Sequence, residues 1–154
     1  MGMSGYFLAV TPAQLEAVMT DSETFMAVID SEDEKPLDID KAWHGIHFLL
    51  TGEAWSNKGP VLGGTEIAGI DLGSGAARYL SPEQVDKMAD ELSQLSPEKL
   101  SQRFDTKEFG IEGIYPDIWE YDGELEWLLH WYRQLQSYYA NASEAGKAML
   151  LWIM

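Results

Sequence analysis

The densest run of chemically able side chains is LDIDKAWHGIH, from Leu37 to His47. Read as a helix, it places Asp40, His44 and His47 at i, i+4 and i+7, so that one carboxylate and two imidazoles share a face. Zinc or iron accepts such a set. The spacing nevertheless departs from helix-borne metal motifs, which pair two histidines four apart with a glutamate between them. Here the two are three apart, and no further histidine lies close by in sequence. A structural role accounts for the same text: Asp40 caps the helix, favoured by its dipole, while the histidines are satisfied within the core. That is the preferred reading, with a general-base or ligand-contact role for His44 or His47 as the other. No metal or other cofactor is expected.

Two glycine-rich stretches, GPVLGG (Gly59 to Gly64) and LGSGAAR (Leu72 to Arg78), could cradle a phosphate if each led into a helix. Neither is followed by the Lys-Ser or Lys-Thr of a phosphate-binding loop, and the second runs into a strand-like segment, so turn geometry explains both. Arg78 stands among many acids. A structural clamp through two parallel hydrogen bonds to Asp71, Asp38 or Asp117 is expected in preference to an anion-binding role. The segment IYPDIWEYDGELEW, Ile114 to Trp127, interleaves acids with Trp119, Tyr121 and Trp127. Such text suits a surface for a basic partner, or rings packed inward with acids facing water. No Gly-x-Ser-x-Gly elbow is present, and the chain has no cysteine, so serine-elbow hydrolysis, thiol catalysis, thiolate metal sites and disulfides have no support.

The elements that must position these groups are legible in part. GYFLAV (Gly5 to Val10) reads as a first strand. Thr11-Pro12 then opens a helix with Gln14 completing a capping box, and Ser81-Pro82 and Ser96-Pro97 repeat the same grammar. Asp21 to Ile29 reads as a second short helix, and Lys41 to Leu50 as a strong one capped by Asp40 and ended by Thr51-Gly52. Glu53 to Gly75 reads as irregular, Ala76 to Leu80 as a strand, and GIEGIYPDIW as a loop. The longest helix runs from about Asp122 to Ala142, with Leu125, Leu128, Tyr132, Leu135 and Tyr139 on one stripe and Trp127, Trp131 and Tyr138 beside it. Lys147 to Met154 reads as a final buried strand next to the first, because so apolar a run is costly at an exposed edge. The expected fold is α+β: a small mixed or antiparallel sheet that includes the N- and C-terminal strands, packed against several helices in one domain spanning 1–154.

Composition narrows the function classes. The 154 residues carry 26 Asp+Glu against 10 Lys+Arg, a formal charge of −16, which repels phosphate backbones and anionic membranes. Nucleic acid and membranes are therefore not expected partners; a basic protein is, because long-range attraction would speed its encounter. Solubility alone is the simpler account of the same charge. With 45% hydrophobic and 12% aromatic residues, a core is affordable and disorder is not expected. The absence of a secretory signal, of a long apolar span and of cysteine makes the cytoplasm the expected location.

Several phrases taken together, MGMSGYF, LDIDKAWHGIHFLLTG, PVLGG, DLGSGAARYLSPEQV and GIYPDIW, resemble the YfbM-like family of bacterial domains of unknown function, in order and over essentially the whole chain. The resemblance implies a compact, soluble α+β domain and no particular reaction. Its phrases contain Asp38, Asp40, His44, His47, Arg78, Asp117 and Trp119, which makes these the residues of a shared ligand or partner cleft, if one exists. Two readings follow. The first is a non-enzymatic acidic domain, monomer or homodimer, that binds a basic protein as an inhibitor or immunity protein would. The second is a small-molecule binder or enzyme with a pocket around Asp40, His44, His47 and Arg78.

Overall fold

At Thr11, Ser81 and Ser96 a hydroxyl accepts the backbone N–H three residues on, and the proline that follows fits the first helical turn because it has no donor to leave unpaired. Gln14 and Gln84 return the bond to the backbone N–H of Thr11 and Ser81, closing two capping boxes. In the computed structural model, which describes residues 2–154, these caps start three of eight α-helices. The order is β1 (Gly5–Val10), α1 (Pro12–Thr20), α2 (Glu23–Ile29), β2 (Leu37–Asp38), α3 (Trp43–Thr51), α4 (Gly59–Leu62), β3 (Thr65–Asp71), β4 (Ala76–Leu80), α5 (Pro82–Ser93), α6 (Pro97–Ser101), α7 (Thr106–Ile111), α8 (Glu124–Glu144) and β5 (Ala148–Ile153). A single 3-10 turn, Asp40–Ala42, leads into α3.

The five strands form one antiparallel sheet in the order β2-β1-β5-β4-β3, so the fold is α+β. Strand β5 lies at its centre beside β1, as its apolar text requires. Alternate residues feed two separate cores. Phe7, Ala9, Leu80, Met149, Leu151 and Ile153 pack with α3, α5 and α8. Leu8, Val10, Ala77, Ala148, Leu150 and Trp152 pack on the opposite face with Val18 of α1 and Phe25 of α2. Helices thus cover both faces of the sheet, which explains why β5 (AMLLWI) has no polar side and is buried throughout.

Helix α8 buries Leu128, Tyr132, Leu135 and Tyr139 of the expected stripe, while its first member Leu125 is half-buried, as are Trp127, Trp131 and Tyr138 beside it. Its tyrosine hydroxyls reach the neighbouring elements: Tyr139 donates to Pro60 O (2.6 Å), Tyr132 to Leu95 O (2.8 Å), and Tyr138 accepts from Ala9 N (2.8 Å).

Three expectations need correction. Asp40 does not cap α3: it lies in the left-handed region (φ 56°), its N–H donates to Asp38 Oδ1 (2.7 Å), and the helix begins only at Trp43 without a side-chain cap. The pair forms an Asx turn, a local competitor of capping for the same residue types. The segment Glu53 to Gly75 is not wholly irregular, since it contains α4 and β3. Strand β3 escaped detection because its buried residues, Ile67 and Ile70, are three apart across a register shift, which destroys the two-residue period. Helix α7 also has no counterpart in the sequence reading; Asp105 caps it by accepting from Lys107 N (3.0 Å).

Replacing Ser81 by Ala removes the hydroxyl half of a capping box at the start of the twelve-residue α5, leaving only the bond from the backbone N–H of residue 81 to Gln84 Oε1. The expected cost is about 1 kcal/mol, read as a fall of about 2–4 °C in thermal midpoint for a chain of this size. An unchanged midpoint would show that packing of α5 on α8 alone sets its start.

Candidate functional site

His44 is fully buried in α3. Its Nδ1 accepts from Tyr115 N (2.8 Å) and its Nε2 lies 2.8 Å from Ala54 O. An amide N–H can only donate and a carbonyl can only accept, so Nδ1 must be bare and Nε2 must carry the proton. The ring is therefore held neutral, and burial lowers its pKa against the opposing pull of the Ala54 carbonyl. Aromatic rings enclose it: Trp43 stacks at 5.0 Å and Trp55 lies at 4.3 Å. His47, one turn further on, is also fully buried, with Ser56 Oγ 3.2 Å from Nε2. Its Nδ1 has no partner among the described residues. Burial first, and then the fields of His44 and Arg78, push its pKa down to about 4.

Both imidazoles are thus members of the interior. Among the described residues no three His, Asp or Glu side chains converge in a way that would hold a metal ion. Asp38 and Asp40 sit together in the Asx turn ahead of α3, apart from the rings with which Asp40 was expected to share a helical face.

Arg78 projects from β4 on the face that carries α3 and α8. The expected carboxylate clamp is absent: among the described residues no acidic oxygen lies within 4.0 Å of its guanidinium. Instead Nη1 donates to Val61 O (3.1 Å) and Gly63 O (2.9 Å), which ties the C-terminal end of α4 to the sheet. Carbonyls at a helix end carry partial negative charge and so suit a cation. Burial lowers the Arg78 pKa. The side chain lines a cleft of ≈ 340 Å3 with Met3, Trp43, Trp55, Leu62, Glu66 and the Gly73-Ser74-Gly75 turn. Glu66 stands opposite Arg78 in the β3–β4 register. Trp55 is 68% exposed, although its ring flanks His44.

Asp117 and Trp119 belong to a second concavity. Trp119 is buried; its indole donates to Ile114 O (2.7 Å) and its ring meets Phe109 edge-on at 4.8 Å. With exposed Asp117 and Glu120 it borders a groove of ≈ 650 Å3 against α7, whose other wall includes Lys107, Gly110 and Ile111. Ile111 and Tyr121 are 73% and 72% exposed. The rings of this segment therefore divide, Trp119 inward and Tyr121 outward.

The structure brings His44, His47 and the aromatic wall together, sets Arg78 in a cleft on one side, and places Asp117 with Trp119 in a groove of their own. Trp55, Glu66 and Ile111 escaped the sequence reading. Trp55 and Glu66 lie in the stretch that reads as irregular, and Ile111 lies on α7, which no apolar period marks in the sequence. A glutamate two residues after a turn glycine and opposite an arginine strand was the available signal for Glu66.

A family model described as a domain of unknown function (DUF1877) matches residues 1–152. Among solved structures, one titled as a protein of unknown function, YfbM, from Escherichia coli superposes with a TM-score of 0.78. It is 23% identical, and the alignment covers 98% of this chain and 99% of that one. At that identity the likeness is one of fold. No curated protein matches the chain.

His47 makes the protein sensitive to acid. Unfolded, it binds a proton near its ordinary pKa of 6.5; folded, only near 4, so between these values the unfolded state holds the extra proton and stability falls as pH falls. Urea melts of the parent and of His47→Gln across that window measure this. The variant should lose a slope equivalent to one proton; equal slopes would mean that folded His47 is already charged near pH 6.

Proposed function

The chain belongs to the family described as domain of unknown function DUF1877, and from that premise we propose that it is a non-enzymatic binding domain for a basic protein, received at the groove between α7 and the 116–121 segment. What supports this is a set of acids that the fold does not use. From Asp105 to Glu126 the chain has eight acidic residues against the single base Lys107. Asp105 caps α7, and Glu108, Glu124 and Glu126 lie in first helical turns, where the dipole favours them. Glu112, Asp117, Glu120 and Asp122 have no such role, and none has a basic partner within 4.0 Å among the described residues. Glu112 sits at the C-terminal cap of α7, where negative charge opposes the dipole.

Around these carboxylates lie Ile111 and Tyr121, exposed apolar surface of the kind that anchors a contact while the charges steer it. A lysine- or arginine-bearing segment with an apolar residue complements both features. An inhibitor or immunity protein that masks a basic toxin fits this chemistry, and the absence of cysteine agrees with work in a reducing cytoplasm.

A labelled amphipathic peptide of lysine and leucine, followed by fluorescence anisotropy, tests the site. Binding should weaken steeply with added salt, and the double substitution Asp117→Lys, Glu120→Lys should reduce affinity by about tenfold or more. The same charge change placed elsewhere, Glu16→Lys with Glu32→Lys, should matter far less. Equal loss in both variants, or no binding at low salt, would overturn the assignment.

A further inference from the structure

Arg78 is a half-buried cation secured on one side only. The Val61 and Gly63 carbonyls occupy Nη1, and among the described residues neither Nε nor Nη2 has an acceptor. The free edge is the Nε/Nη2 fork, the edge that grips a carboxylate through two parallel hydrogen bonds. Burial disfavours the charged guanidinium and the field of nearby Glu66 opposes this only in part, with no carboxylate within 4.0 Å among the described residues to form an ion pair, so the open edge gains from an anion delivered to it. The surrounding cleft supplies the other contacts. Trp43, Trp55, Leu62 and Ile153 give it apolar walls, and Glu66, opposite Arg78 across the strand pair, adds an unpaired carboxylate to the same space. Its ≈ 340 Å3 lies at the small end of ligand pockets. Net charge selects further: a chain at −16 repels anions at long range but leaves a zwitterion unopposed.

We infer that this cleft binds a free amino acid with an apolar or aromatic side chain, its carboxylate on the Nε/Nη2 edge of Arg78, its ammonium on Glu66 and its side chain against Trp43 and Trp55. The site shares no lining residue with the α7 groove, so it stands whether or not a basic protein docks there. It also gives a role to Trp55, a large ring left in solvent at the cleft mouth.

The indole N–H resonances of Trp43 and Trp55 report occupancy during titration with L-phenylalanine, 3-phenylpropionate and phenethylamine. L-Phenylalanine should shift both saturably. Each of the other two lacks one charged contact and should bind about tenfold more weakly or worse. Glu66→Gln should lower L-phenylalanine affinity to that of 3-phenylpropionate while leaving 3-phenylpropionate unchanged. Trp55→Ala, with an unchanged far-ultraviolet circular dichroism spectrum as the check that the fold survives loss of the ring over His44, should weaken L-phenylalanine binding. Substituting Arg78 would also release α4, so these two variants carry the test. No saturable shift with millimolar L-phenylalanine, equal affinity for all three compounds, or undiminished L-phenylalanine binding by Glu66→Gln would each overturn the inference.

Discussion

One neutral imidazole holds together the two loops on which both concave surfaces depend. Through Nδ1, His44 takes the backbone N–H of Tyr115, and through Nε2 it reaches the carbonyl of Ala54. The first bond anchors the segment that carries Asp117 and Trp119; the second anchors the segment that carries Trp55. Asparagine could offer an acceptor and a donor, but not separated by the width of a five-membered ring. A protonated ring would turn Nδ1 into a donor facing a donor, so the arrangement holds only while the site stays dry. Trp43, Trp55 and Tyr115 keep it so.

The reactive-looking side chains therefore divide by burial rather than by residue type. The imidazoles, which carry the most versatile chemistry, are spent on architecture, and so is half of the Arg78 guanidinium. What faces outward is the remaining edge of that guanidinium, an exposed indole, an exposed isoleucine and carboxylates without partners. Such groups recognise other molecules more readily than they transform them, which is consistent with a domain that binds. Family membership and the likeness to YfbM establish the architecture and leave the chemistry to these residues.

Where the sequence carried a local physical rule, the structure could be read from it. Ser-Pro and Thr-Pro pairs marked helix starts because one hydroxyl and one missing N–H solve the same terminus. The apolar text of Ala148 to Ile153 located the sheet's centre, and the period of α8 located its buried stripe. The site was less legible, because its placement depends on geometry with no local signature. Asp40 satisfies every rule for a cap yet turns left-handed, since Asp38 two residues earlier captures its N–H. Arg78 holds carbonyls in place of the expected carboxylates, and no residue type announces a carbonyl partner. Glu66 and Trp55 became visible only once a bulged strand and a loop were resolved within glycine-rich text.

The placement of β5 bears on how the chain assembles. Gly5 pairs with Ile153, so the sheet's middle rung joins segments from opposite ends of the sequence, and loop closure over that distance makes the step slow compared with forming the locally capped helices. Until β1 and β4 arrive, Ala148 to Ile153 is an uncharged, proline-free ribbon with two open edges, the composition most prone to stack with copies of itself. The dense negative charge elsewhere on the chain then takes on a second meaning: mutual repulsion keeps half-folded molecules apart during the interval in which that ribbon lies bare.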